Sequence, residues 1–116
     1  MKRILVADDE EGIRILYQEE LESEGYEVTL AANGQEVLAL LDSFVPDLVV
    51  LDIQMPDMSG IEILQYIRNR FRDLPVIISS AYPEYQQNIA TWASDAYVVK
   101  SSNLETLKSA IRKFLG

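Results

Sequence analysis

The chain has 116 residues, 48% of them hydrophobic and 25% charged, enough to bury a core without covalent staples. It contains no cysteine and no histidine, which excludes disulfides, thiol catalysis, thiolate or imidazole metal sites, Ser-His-Asp triads and a phosphohistidine of its own. A net charge of -9, from 19 acids against 10 bases, opposes direct binding to nucleic acid.

No apolar run approaches the roughly 18 residues of a membrane span, and the opening "MKRILVADD" is not a signal peptide. These features predict one cytoplasmic domain over residues 1–116. Arg3–Ala7 reads as a continuously apolar strand, followed at once by Asp8 and Asp9. A helix follows over 11–24, with Ile13, Leu16, Tyr17 and Leu21 as its apolar stripe and Gly25 as its stop signal. Glu27–Ala31 alternates as a half-exposed edge strand should. A helix over 34–43 leads to a strand at Asp47–Leu51, whose buried run Leu48-Val49-Val50-Leu51 stops at a lone carboxylate, Asp52.

After the turn through Met55 and Pro56, a helix over 60–70 leads to the strand Pro75–Ser79 and then to Ser80. A helix over 84–93, with Tyr85, Ile89 and Trp92 as its stripe, leads to the strand Asp95–Val99 and Lys100. The last helix, 103–115, repeats Leu104, Leu107, Ala110, Ile111 and Leu115. Asn103 can cap it, and Lys108, Arg112 and Lys113 suit its negative end.

Strict alternation of strand and helix implies an α/β fold: a doubly wound, five-stranded parallel sheet with helices on both faces. The edge character of the second strand favours the order 2-1-3-4-5. In such a sheet the functional crevice lies beyond the carboxyl ends of the strands, at the switch in strand order. Asp8, Asp9, Asp52, Ser80 and Lys100 all fall on that rim.

Carboxylates about 4 Å apart repel by roughly 4 kcal/mol at an effective dielectric near 20. One lysine does not neutralise three acids, so either a carboxylate takes a proton or a cation binds. Oxygen ligands alone point to a hard divalent ion, with Mg2+ favoured because it accepts one or two carboxylates and a phosphoryl oxygen. Asp52 is then a carboxylate nucleophile, Lys100 a neutralising charge and Ser80 a donor to a phosphoryl oxygen.

The segments "VADDEEGIR", "VVLDIQMPDMSGIEIL", "LPVIISSAY" and "DAYVVK" resemble, in register over essentially the whole chain, the receiver domain of two-component response regulators. The resemblance implies a flavodoxin-like (βα)5 fold, Mg2+ held by Asp8, Asp9, Asp52 and the backbone carbonyl of Gln54, and phosphorylation of Asp52. It implies Ser80 and Tyr97 as a switch pair acting on the face of the fourth helix, fifth strand and last helix. Gln54 and Tyr82 border the path of the hydrolytic water and are expected to slow dephosphorylation. A histidine kinase or histidine phosphotransfer protein would supply the phosphoryl group, docking near Ile13, Arg14 and the loop after Ser80, with a downstream output protein or domain as a further partner. The module would catalyse its own phosphorylation and dephosphorylation, either as a stand-alone regulator such as a phosphorelay intermediate or as part of a longer protein.

One departure stands out. Lys100 is followed by Ser101, where the family usually has proline with a cis bond, so a trans bond or a strained loop is expected here. Ser80 replaces the commoner threonine, which frees its rotamer, while Ser79 should point away from the site by strand alternation. The competing readings fit less well. A flavin-binding flavodoxin wants a Ser/Thr/Gly-rich phosphate loop in place of "DDEEG", and an aspartyl phosphatase wants a general-acid carboxylate where Gln54 stands. The alternative is a pseudo-receiver acting as a phosphorylation-independent interaction module.

Overall fold

The computed structural model describes residues 1–81, 94–101 and 103–116. The predicted helix over 84–93 and its stripe lie outside the described residues. Five strands, β1 (Arg3–Ala7), β2 (Glu27–Ala31), β3 (Leu48–Leu51), β4 (Val76–Ser80) and β5 (Ala96–Val99), form one parallel sheet in the order β2-β1-β3-β4-β5. Four helices stand among the described residues: α1 (Glu11–Ser23), α2 (Gly34–Ser43), α3 (Gly60–Arg70) and α4 (Glu105–Leu115).

The period of two along each strand divides the core between the two faces of the sheet. Leu5, Val49, Leu51, Val76 and Ile78 pack with residues of α2 and α3 such as Val37, Leu41, Ile63 and Ile67. Ile4, Val6, Leu48, Val50 and Ile77 pack on the other face with Tyr17 and Leu21 of α1 and Leu107 and Ile111 of α4. Side chains of this size each contribute roughly 1.5–3 kcal/mol when fully buried. That is why the central strands read as unbroken apolar runs.

The first helix corrects one expectation. Tyr17 and Leu21 are buried, but Leu16 is 39% exposed and Ile15 45%. Residues four apart share a face, whereas Leu16 is turned by about 100° from Tyr17 and so falls off the stripe. Gly25, at φ +95°, ends α1 in the left-handed conformation that glycine adopts without strain. Asn103 acts as foreseen in part: its Oδ1 accepts the Glu105 N–H at 2.9 Å, although the helix itself begins one residue after Leu104.

Local signals also fix α2 and α3. Asn33 caps α2 by accepting the Glu36 N–H at 2.9 Å. Ser59 and Glu62 form a reciprocal capping box at the start of α3. Arg68 and Arg70 in its last turn suit the negative end.

Candidate functional site

Ladder hydrogen bonds run one residue past the strands and thereby fix the backbone of each rim residue. The Asp8 N–H donates to the Ala31 carbonyl at 3.1 Å, the Asp52 N–H to Ala7 at 3.0 Å and the Lys100 N–H to Ser80 at 2.7 Å. The buried runs of β1 and β3 thus deliver Asp8 and Asp52, 1% and 6% exposed, to a floor that water barely reaches.

Lys100 reaches both from β5. Its Nζ lies 2.6 Å from Asp8 Oδ2 and 3.2 Å from Asp52 Oδ2. Burial pushes the Asp52 carboxyl above its ordinary range, the Lys100 ammonium opposes that, and the Asp8 charge adds to it. For Lys100, burial is the largest single influence and lowers its pKa. The Asp8 and Asp52 carboxylates together outweigh it and hold the ammonium above its ordinary range. The lysine is therefore a firm positive charge between two buried acids.

The Asp9 carboxylate stands on the exposed side of the rim beside that of Glu10. One oxygen each from Asp8, Asp9 and Glu10 lie within 4.8 Å of one another. An all-oxygen donor set of this kind fits a hard divalent cation. Sequence reasoning did not assign Glu10 a role. Its position directly after the acid pair was the available signal, and its N–H closes the loop by donating to Asp8 Oδ1 at 3.0 Å. Arg14 reinforces that loop by donating to the Asp8 carbonyl at 2.8 Å.

Gln54 sits above Asp52, its N–H donating to Asp52 Oδ1 at 3.3 Å. A cleft of about 120 Å3 opens between Asp9, Glu10, Asp52, Gln54, Ala81 and Lys100. Larger concavities exist, such as one of about 410 Å3 near Val45 and Phe71, but that one lies away from the strand ends carrying the acids. The turn over Asp52 depends on Gly60: its N–H donates to the Ile53 carbonyl at 2.6 Å, and a Cβ there would strike the Asp52 carbonyl.

The two serines of β4 diverge as alternation requires. Ser79 turns toward α1, where its Oγ lies 3.1 Å from the Tyr17 hydroxyl in a buried hydrogen bond. Ser80, fully buried, shares the opposite face with Ile78 and with Tyr97, which packs partly buried against the α2–α3 side of the core. The Lys100–Ser101 peptide is trans, in agreement with the absence of proline. Tyr82 lies outside the described residues.

A parallel sheet in this order, with buried acids and a lysine meeting beyond its carboxyl ends, defines a flavodoxin-like α/β module with its site at the topological switch point. The family model of the response regulator receiver domain matches residues 4–112, and the chain belongs to that family. Sporulation initiation phosphotransferase F of Bacillus subtilis is 36% identical, over 98% of this chain and 94% of its own length. The probable transcriptional regulator ycf27 of Cyanophora paradoxa is 38% identical over 98% of this chain, which spans only 48% of that longer relative. Among solved structures, the response regulator TrrA of Thermotoga maritima, in complex with Mg2+-BeF, is 48% identical with a TM-score of 0.96, covering 98% of this chain and 99% of its own. The same regulator in complex with the histidine kinase ThkA superposes with a TM-score of 0.94 over the full length of both chains.

Proposed function

We propose that this receiver accepts a phosphoryl group on Asp52 from the phosphohistidine of a partner kinase or phosphotransfer protein. The observation that carries the reading is the buried Asp52 carboxylate, seated on a rigid strand end and 3.2 Å from the Lys100 ammonium. An Asp52 oxygen attacks phosphorus, and the new P–O bond forms as the P–N bond to imidazole breaks. The electron pair returns to the imidazole nitrogen, which takes up a proton, and the product is an aspartyl phosphate.

Lys100 neutralises charge on the transferring group, and the burial of Asp52 keeps competing water out of its way. Asp8, Asp9 and Glu10, with Asp52 and the Gln54 carbonyl close by, would hold Mg2+, which supplies further neutralisation of the phosphoryl oxygens. Ser80 would turn its hydroxyl to the phosphoryl group and Tyr97, on the same face, would follow, carrying the change to β5 and α4. Arg14, whose guanidinium reaches the Asp8 carbonyl, and the partly buried Ile13 stand on α1 where a donor such as the kinase bound by TrrA would dock, with the exposed Ile15 and Leu16 on the same helix. An output protein or domain would read the switched face.

The test is intact mass after incubation with acetyl phosphate and Mg2+. One phosphoryl adduct, requiring Mg2+ and absent from Asp52→Asn, is expected. Folded protein that binds Mg2+ and forms no adduct would favour the pseudo-receiver. Following the adduct tests the roles of Gln54 and Tyr82: decay within seconds would remove them as barriers to hydrolysis.

A further inference from the structure

We infer that Asp57 is a positioning residue for this site, clamping the loop between β3 and α3 onto the first turn of α2. Its two carboxylate oxygens accept two successive backbone groups of that helix: Oδ1 the Gly34 N–H at 2.8 Å and Oδ2 the Gln35 N–H at 2.9 Å. A helix leaves four N–H groups unpaired at its start. The helix's own cap, Asn33, takes only that of Glu36 by its side chain. A residue from a distant loop therefore completes α2, through charge-assisted bonds at the positive end of the helix. The Gly34 N–H and then the Gln35 N–H hold the Asp57 carboxyl below its ordinary range.

A second contact independently seats the same loop. Met58 occupies the space beside Gly34, and a Cβ at Gly34 would run into its side chain. At its base the loop is closed by the Gly60 N–H donating to the carbonyl of Ile53, two residues beyond β3. Between these anchors lies Gln54, whose N–H reaches Asp52 Oδ1 and whose carbonyl is proposed to face the metal. No residue of α2 lines the cleft, and the clamp is what would let α2 set where Gln54 stands. The metal-directed part of this inference rests on the Mg2+ reading above.

The test compares Asp57→Ala and Asp57→Asn with the unaltered protein in two measurements, and both variants retain the Asn33 cap. In metal-free protein, amide hydrogen exchange is expected to quicken together at residues 34–36 and 53–59. In calorimetric titration with Mg2+, Kd is expected to rise about 10-fold in Asp57→Ala, the lower end of what outer partners of metal ligands contribute, and less in Asp57→Asn, which keeps one acceptor. Faster exchange confined to the first turn of α2, or an unchanged Kd in folded Asp57→Ala, would reduce Asp57 to a helix cap and overturn the inference. If the unaltered protein bound no Mg2+, the metal reading would fall, and the exchange pattern alone would decide the clamp.

Discussion

Acids stand at both ends of the sheet, and the two ends treat them differently. At the amino-terminal end, Asp47 and Asp95 each precede a strand and clasp its neighbour. Asp47 accepts the Arg3 N–H at 2.7 Å and returns its own N–H to the Arg3 carbonyl at 2.8 Å. Asp95 does the same with Val76, both bonds being 2.8 Å, and pairs with Arg68 of α3 as well. Both of these carboxylates meet donors built for them. At the carboxyl end Asp8, Asp9, Glu10 and Asp52 converge, and Lys100 bridges only two of them. An acid matched by donors closes a strand. An excess of acids leaves attraction to spare for a cation.

The largest expected effect comes from the one positive charge in that excess. Lys100→Met leaves two buried carboxylates facing each other and should cost about 3 kcal/mol of unfolding free energy without Mg2+. Urea denaturation measures this, and added Mg2+ should restore part of the loss. At the other end, Asp95→Ala takes the acceptor from the Val76 N–H and removes one of the partners of Arg68, at about 2 kcal/mol. Its phosphoryl adduct should still form with acetyl phosphate. Loss of the adduct in this variant would erase the division of labour between the two ends.

The smallest effect has the opposite sign. Because burial raises the folded-state pKa of Asp52 above its ordinary 3.8, its ionised form opposes folding. Asp52→Asn should therefore stabilise the protein near neutral pH by about 1 kcal/mol. The folded chain holds the Asp52 proton more tightly than the unfolded chain. The stability gain of the variant should thus be complete above the raised folded-state pKa and vanish as pH falls below 3.8. Paired urea titrations across that window measure the difference, and an advantage that persists in acid would point to repacking rather than to charge.

Much of this was legible in the sequence, for physical reasons that also mark where legibility ends. Continuous apolar runs in β1 and β3 and alternation in β2 reflect how many faces each strand buries, so the strand order could be read from them. Strand periodicity likewise separated Ser79 from Ser80. Asp47 and Asp95 were read as strand residues, whereas the strands begin at Leu48 and Ala96. A clasping aspartate continues the ladder without being part of it. Leu16 was misplaced because an apolar residue beside a stripe looks the same in sequence as one within it. The Tyr17 partner of Ser79 and the Asp57 clamp left no trace, since each joins segments whose proximity only the folded sheet creates. The expected fourth helix, 84–93, lies outside the described residues.

The bridge from Lys100 to Asp8 and Asp52 also bears on when the protein becomes chemically competent. The three residues directly follow the first, third and fifth strands, so nearly the whole chain must be synthesised and threaded into register before they meet. Contacts of such sequence separation are costly in loop entropy and are expected to form after the local helices. A chain in which β5 has not yet joined β4 leaves Asp8 and Asp52 without their shared counter-charge. Docking of β5 on β4 thus completes the charge balance of the site together with the sheet, so the site is assembled only in the finished fold.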